Sequence, residues 1–188
     1  MIIGQDNQSG VQVEVSVQDC FDDSTGLTED SELNQNSDRP SSADWQTWFD
    51  RWLAILHPVP LASNYELSLR LTDDSEIQAL NAQYRHQNKP TDVLAFAALE
   101  VDFPQPDNLQ SLLPLYLGDI IISVDTAKRQ AQQQGHTLLV ELAWLAAHGL
   151  LHLLSWDHPD EDSLQQMLER QTQLLQAVGI TISVAETY

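Results

Sequence analysis

Residues 148–158 of this chain read HGLLHLLSWDH and contain three of its six histidines. His148 and His152 are four residues apart, so on a helix their imidazoles lie on one face, about one turn from each other. His158 follows six residues later, after a short stretch that can turn the chain back. Three converging imidazoles would bind one zinc ion and leave its fourth coordination position open, as in catalytic rather than structural zinc sites.

The same two histidines can also be interpreted as partly buried core residues whose ring nitrogens are hydrogen-bonded. The apolar residues around His148 and His152 indicate a helix that is buried on nearly all sides, where imidazoles without partners would be costly. We therefore favour metal binding, with His148, His152 and His158 as the ligands of one Zn²⁺ per chain.

Gly149 distinguishes this stretch from the zinc proteases. Those enzymes carry the pattern H-E-x-x-H, in which the glutamate is the general base. Gly149 occupies the position of that glutamate and offers no proton acceptor. The substitution argues against a peptide hydrolase.

Three further segments match the motifs of one known family in the same order. Leu80-Asn81 with Tyr84-Arg85 is similar to L-N-x-x-Y-R, residues 89–96 (KPTDVLAF) to K-P-T-D-V-L-S-F, and residues 117–120 to L-G-D-I. Residues 148–158 are similar to H-G-x-L-H-L-x-G-Y-D-H. Over residues from about 44 to about 179, the chain thus resembles the YbeY family, the bacterial endoribonucleases and ribosomal-RNA maturation factors.

The resemblance implies a function and a set of partners. It implies a single-strand-specific, zinc-dependent endoribonuclease that matures the 3′ end of 16S rRNA and acts in ribosome quality control. Ribosomal RNA and ribosomal particles would be its partners, with no DNA expected. An alternative from another class is a ribosome-assembly or adaptor protein in which the zinc only braces the fold.

Two residues depart from the family signature at the end of the histidine motif. Ser155 replaces a glycine that would suit a backbone with positive φ, and serine there would cost on the order of 1 kcal/mol. Trp156 replaces a tyrosine and loses its hydroxyl. Neither change removes a predicted metal ligand.

The predicted chemistry requires a cation beside the metal. Zinc can lower the pKa of its water from about 15.7 towards about 7, which provides a nucleophile without a carboxylate base. Cleavage of a phosphodiester builds negative charge on the non-bridging oxygens, which a fixed cation would stabilise. Arg85 is our candidate for this cation, because its planar guanidinium suits a phosphate and stays charged. We predict that Arg85 and His148 are catalytic residues. Arg85 and Lys89 are predicted to contact RNA. A surface salt bridge at a helix end is the alternative role of Arg85.

Metal-ligating imidazoles usually donate their second N–H to an oriented acceptor. Glu141, seven residues before His148, is one candidate acceptor, although it could instead pair with a neighbouring helix. Asp157 and Asp119 are further candidates, with capping or turn roles as alternatives. The remaining histidines are isolated and are assigned no metal: His57, His86 and His136.

The composition is strongly acidic, with 28 Asp and Glu against 8 Lys and Arg and a net charge of −20. Nucleic-acid binders usually have basic surfaces, so we expect RNA to meet one local positive patch, from Arg85, His86 and Lys89 or from Lys128 and Arg129. Alternatively, the charge only keeps the protein soluble.

The single Cys20 fits a reducing compartment, and no secretory signal or membrane span is visible, so we expect a cytoplasmic protein.

The mixture of helical and strand patterns predicts an α+β (or α/β) fold, with a small mixed four-stranded sheet packed with about five helices. The zinc site would lie on a central helix. We expect a first strand within residues 1–17, a flexible acidic insertion at 18–43, a catalytic domain at 44–179 and a tail at 180–188. The first strand and the catalytic domain would form one domain. Residues 98–115 are expected to form a long hairpin or a crossover loop near the site.

An aromatic stripe at helical spacing follows the insertion, from Trp45 to Leu56. It could be a platform on which bases stack or part of the core, and its wholly apolar character favours the core. Ser41 and Asp44 are placed for a capping box at the start of this helix.

Overall fold

The structure of the protein is a computed structural model that describes residues 12–21, 38–58, 62, 64–98 and 114–182. Within these ranges the chain forms four strands and five helices, which confirms the predicted α+β class. The strands are β1 (Gln12–Asp19), β2 (Asn64–Thr72), β3 (Val93–Ala97) and β4 (Leu115–Ser123). The helices are α1 (Ser42–Leu56), α2 (Asp74–Arg85), α3 (Val124–Gln134), α4 (Leu138–Leu153) and α5 (Glu161–Ala177).

The four strands form one mixed sheet in the order β1-β2-β4-β3. β1, β2 and β4 are parallel, and β3 pairs antiparallel with β4. Side chains of α1 form hydrogen bonds with the backbone at the outer edge of β1. Asp50 accepts from the Val13 amide, while Gln46 accepts from the Val15 amide and donates to the Val13 carbonyl. These contacts cover backbone groups that an open edge strand would otherwise expose.

The main core lies on the face of the sheet that α1, α4 and α5 cover. Alternation along β2 places every second side chain in this core, and the members from β2 are Tyr65, Leu67, Leu69 and Leu71. Trp45, Phe49 and Trp52 of α1 are fully buried. The aromatic stripe is therefore part of the core and not a surface on which bases could stack.

The opposite face of the sheet carries a smaller apolar cluster beneath α2, made of Ile77, Leu94 and Ile121. Ile120 and Ile122 belong to the main core, so Ile121 points the other way, as alternation along β4 requires. The two clusters place α2 and α4 on opposite faces of the sheet, and both helices reach the cleft beside β3.

Gly118 allows β3 to approach β4 closely. Its φ of +133° lies in a region that favours glycine, and an added Cβ would stand 2.1 Å from the Phe96 carbonyl oxygen. An irregularity in the β2–β4 register occurs here, since Glu66 pairs with Tyr116 and Leu67 with Gly118. Thus the glycine of the L-G-D-I motif serves the backbone packing of the sheet.

Gly149 allows α4 to pack closely on β4. A Cβ at this position would lie 2.8 Å from the Cγ2 of Ile120, which is fully buried. The position where zinc proteases carry glutamate is thus filled by the sheet in this chain.

We expect Gly149→Ala to destabilise the protein by about 1–3 kcal/mol, because the branched Ile120 side chain cannot move away without strain. The direction of the change in the free energy of unfolding tests the packing argument, since Gly→Ala inside a helix ordinarily stabilises a protein by about 0.5–1 kcal/mol. Urea unfolding measures the change. Combined with Ile120→Ala, the substitution should cost less than the sum of the two single changes, and a stabilised single variant would contradict the packing argument.

The start of α1 agrees with the predicted signal. Ser41 and Asp44 form the expected capping box, and Asp73 and Asp160 cap α2 and α5.

β1 continues to Asp19 and α1 begins at Ser42, so both ends of the predicted insertion 18–43 belong to regular elements. Residues 22–37 and 99–113 lie outside the described residues, and with them most of the predicted insertion and loop.

The core extends past the predicted domain end at residue 179, because Ile180 is buried within it. None of the helices in the described ranges combines the length and apolar character needed to cross a membrane.

Candidate metal centre

The last turns of α4 carry His148 and His152 towards the cleft beside β3. After Leu154 the chain adopts a left-handed turn at Ser155, with φ of 63°. The amides of Ser155 and Trp156 donate to the carbonyls of His152 and Leu151, each at 3.0 Å. This pattern is a Schellman motif, in which glycine is the usual residue, and it reverses the chain so that His158 returns to the other two histidines.

The three imidazoles converge as the spacing predicts. Their candidate ligand atoms all lie within 4.8 Å of one another, and the Nε2 atoms of His148 and His152 are 3.0 Å apart. Zinc–nitrogen bonds of about 2.0–2.1 Å in a tetrahedral arrangement place two donors roughly 3.3 Å apart. Small rotations of the side chains would thus let all three rings bind one ion, so the donor set fits zinc.

The environment favours the neutral form of two of these imidazoles, His148 and His152. Burial, reinforced by the neighbouring His148 and His158, lowers the pKa of His152 to about 4. Burial also lowers the pKa of His148, although its hydrogen bond to Gln171 acts in the opposite direction. A neutral imidazole has the free lone pair that a metal ion requires.

Gln171 on α5 orients the His148 ring. Its Oε1 lies 3.1 Å from His148 Nδ1, while its amide nitrogen donates to the Trp144 carbonyl at 3.3 Å. Because the Trp144 carbonyl can only accept, the Gln171 oxygen faces His148, and Nδ1 must carry the proton. Nε2 is then left free to bind a metal. Gln171 is fully buried, so this orientation is held by packing as well.

We expect Gln171→Met to weaken zinc binding about 10- to 100-fold, because the ring loses the acceptor that sets its tautomer and direction. Titration against a competing chelator measures the affinity. Gln176→Met, at an exposed position of the same helix, is the matched control and should bind zinc like the wild type. Equal affinities for both variants would remove Gln171 from the metal centre.

His148 and His152 line one wall of an open cleft of about 830 Å³, and the end of α2 with the loop after it lines another, with Arg85 and Lys89. Neither Arg85 nor Lys89 forms an ion pair with any residue the structure describes. The other predicted basic group lies elsewhere: Arg129 pairs with Asp74 at 2.8 Å, and Lys128 lies over the Phe21 ring. In a chain of charge −20, the cleft is thus where two cations without an ion pair to any described residue meet the histidines.

Local structure explains how the two cations reach the cleft. Arg85 is the last residue of α2, and its guanidinium donates to the Ala95 carbonyl at 3.3 Å. Asn81 is buried and donates its side-chain amide to the Lys89 carbonyl at 2.8 Å, which holds the loop against α2. Through these contacts, the L-N-x-x-Y-R and K-P-T-D segments together form one wall of the cleft.

The structure brings one of the three predicted carboxylate acceptors to the cleft. Asp157 lines it and accepts from the His158 amide at 2.8 Å. Glu141 is bonded to His136 instead of His148, and burial raises its pKa. Asp119 accepts from the Tyr116 hydroxyl at 2.8 Å and points away from α4, because its neighbour Ile120 contacts Gly149.

The chain matches the family model described as Endoribonuclease YbeY over residues 31–179, which is more than half of its length. The chain belongs to the YbeY family. The resemblance inferred from the four motifs is thereby confirmed, and the family match begins inside the predicted insertion at residue 31.

Relatives named Endoribonuclease YbeY extend the similarity to most of the chain. A protein from Nostoc sp. is 61% identical over 93% of this chain and 94% of its own length. One from Trichormus variabilis is 61% identical over 93% of this chain and 98% of its own. A solution structure of a Thermotoga maritima protein covers 89% of this chain and 88% of its own with 21% identity and a TM-score of 0.45.

Two residues of the cleft region were missed from the sequence. Gln171 lies 23 residues after His148 on another helix, and no spacing rule points to it. Tyr84 was noted only as part of a motif, yet it lines the cleft with 55% of its surface exposed. Its position next to Arg85 was the one available signal.

Proposed function

We propose that this YbeY-family protein is a single-strand-specific, zinc-dependent endoribonuclease. Its proposed task is maturation of the 3′ end of 16S rRNA and ribosome quality control in the cytoplasm, with ribosomal particles as partners. The observation that carries the proposal is the convergence of three imidazoles beside a cleft that Arg85 and Lys89 also line, two cations without an ion-pair partner among the described residues. Membership of the family supports the reaction class.

The proposed roles follow from the position of each side chain. His148, His152 and His158 would hold the zinc ion, and Gln171 would keep His148 in the ligating tautomer. When bound, the ion would supply an activated nucleophile and polarise a phosphoryl oxygen. Arg85 would bind the non-bridging oxygens of the scissile phosphate with its planar guanidinium, and Lys89 would bind a neighbouring phosphate.

The absence of a carboxylate after His148 also supports phosphodiester chemistry. Peptide hydrolysis by the zinc-protease route requires a glutamate at the position of Gly149, and Ile120 fills the space beside it. Attack by water and attack by the RNA's own 2′-hydroxyl remain alternative routes, and they leave different product ends.

Cleavage by zinc-loaded protein tests the proposal. The substrates are a single-stranded oligoribonucleotide, the same sequence in a duplex, its DNA counterpart, and a 16S rRNA precursor with an unprocessed 3′ end. We expect cleavage of the single strand and of the precursor, loss of cleavage with a chelator, and restoration by zinc. Mapping of the product ends distinguishes the two routes. Zinc-loaded protein that leaves every RNA intact would overturn the proposal.

A further inference from the structure

Tyr84 is an exposed aromatic side chain in the wall of the cleft. Among the described residues, the exposed large hydrophobic side chains are Tyr84, at 55%, and Tyr116, at 39%. Tyr116 is engaged, since its hydroxyl bonds to Asp119 at 2.8 Å and lies 3.3 Å from Ser68. The Tyr84 hydroxyl has no hydrogen-bond partner within the described ranges. An aromatic surface of this size stays in water only at an energetic cost, which a ligand would relieve.

The Tyr84 ring is supported on one side. It packs against Phe96 of β3 with ring centroids 5.1 Å apart and an interplanar angle of 68°. Phe96 in turn packs on the cluster of Ile77, Leu94 and Ile121 beneath α2. A ring held in this way presents its open surface without a large loss of conformational entropy when a ligand binds.

The charges around Tyr84 indicate the class of ligand. Arg85 is the next residue in the chain, and Lys89 lines the same cleft. Two cations without carboxylate partners in the described part of the chain suit phosphates, and an aromatic ring beside them suits a planar base. Grooves that bind single-stranded nucleic acids combine these two features, since bases stack on aromatic rings while cations follow the backbone.

We propose that Tyr84 stacks on the base of an unpaired nucleotide adjoining the phosphate that Arg85 binds. This inference rests on the proposed function and assigns the choice of single strands to one ring. In a duplex both faces of every base are covered by its neighbours, so Tyr84 finds no open face. The hydroxyl is not required for stacking, whereas the aromatic ring is.

Steady-state cleavage by zinc-loaded protein tests the proposal. We expect Tyr84→Leu to raise KM for a single-stranded oligoribonucleotide on the order of tenfold with kcat changed much less, because stacking on an aromatic ring is lost. Tyr84→Phe should keep KM within about twofold of the wild type. Tyr116→Leu is the matched control, an exposed tyrosine outside the cleft that should leave KM unchanged.

An abasic scan identifies the base concerned. Oligonucleotides that lack one base at successive positions should show one position where the wild-type KM rises about tenfold. In Tyr84→Leu that rise should vanish, because ring and base act as a pair.

Three results would overturn the stacking proposal alone while the wild type still cleaves: an unchanged KM in Tyr84→Leu, equal losses in the Leu and Phe variants, or an abasic effect that persists without the ring. A wild type that cleaves no RNA would overturn the proposed function and this inference together. Circular dichroism confirms that each variant is folded.

Discussion

His148→Ala is expected to remove stoichiometric zinc and to lower RNA cleavage by about three orders of magnitude or more. Two imidazoles hold zinc far less tightly than three, and without the ion neither the activated nucleophile nor the polarised phosphoryl oxygen is available. Metal analysis of the purified variant and single-turnover cleavage measure the two effects. His57→Asn is the matched control, since His57 ends α1 at an exposed position with positive φ, which asparagine tolerates.

A thermal melt of the same variant separates catalytic from structural zinc. The main core joins α1, the sheet and α4 through residues such as Trp52, Leu69 and Leu150, which are fully buried. We therefore expect His148→Ala to unfold cooperatively, with a melting temperature close to that of metal-free wild type. Loss of the folded state in the variant would favour the adaptor protein with a bracing zinc instead.

Arg85→Ala is expected to lower cleavage about 10²- to 10³-fold while zinc content and stability stay unchanged. The guanidinium is exposed and makes one hydrogen bond, to the Ala95 carbonyl, so little folding energy depends on it. Its proposed contact with the phosphate strengthens as negative charge develops, which accounts for the expected loss. Arg85→Lys should recover only part of the rate, because an ammonium group cannot make the bidentate contact.

Arg51→Ala is the matched control for this variant. Arg51 is also an exposed helical arginine that donates to one backbone carbonyl, that of Ala177 at 2.8 Å, but it lies away from the cleft. It should cleave RNA at the wild-type rate. Wild-type cleavage by Arg85→Ala would leave Arg85 with the surface role that a helix-end arginine commonly has.

Local signals predicted the elements of the fold well. The aromatic stripe at helical spacing predicted α1, and the capping box of Ser41 and Asp44 predicted its start, because both signals depend only on neighbours in the chain. Gly135 ends α3 in a left-handed conformation, which is a common role of glycine at a helix end. The strand order needed the structure, because pairing joins segments distant in sequence.

At the candidate site, too, some features followed from local sequence signals and others needed the folded structure. Spacing alone predicted that His148 and His152 share a helix face, and the left-handed turn at Ser155 followed from the glycine that the family carries there. The residue that accepts a hydrogen bond from the His148 ring could not be predicted from the sequence. Glu141 is the better acceptor by charge, yet His136 binds it, and the neutral Gln171 on α5 takes its place.

The spacing of the histidines predicted the donor set, since residues one helical turn apart share a face whatever the surroundings. Gly149 argued against the zinc-protease reaction, because it lacks the carboxylate base. The surroundings of the donors required the folded chain. It turned Asp119 away, filled the space at Gly149 with Ile120, and placed Arg85 and Tyr84 in the cleft of the histidines. These outcomes depend on which faces of α2, α4 and β4 pack together, and such packing is a property of the whole chain and not of any short segment.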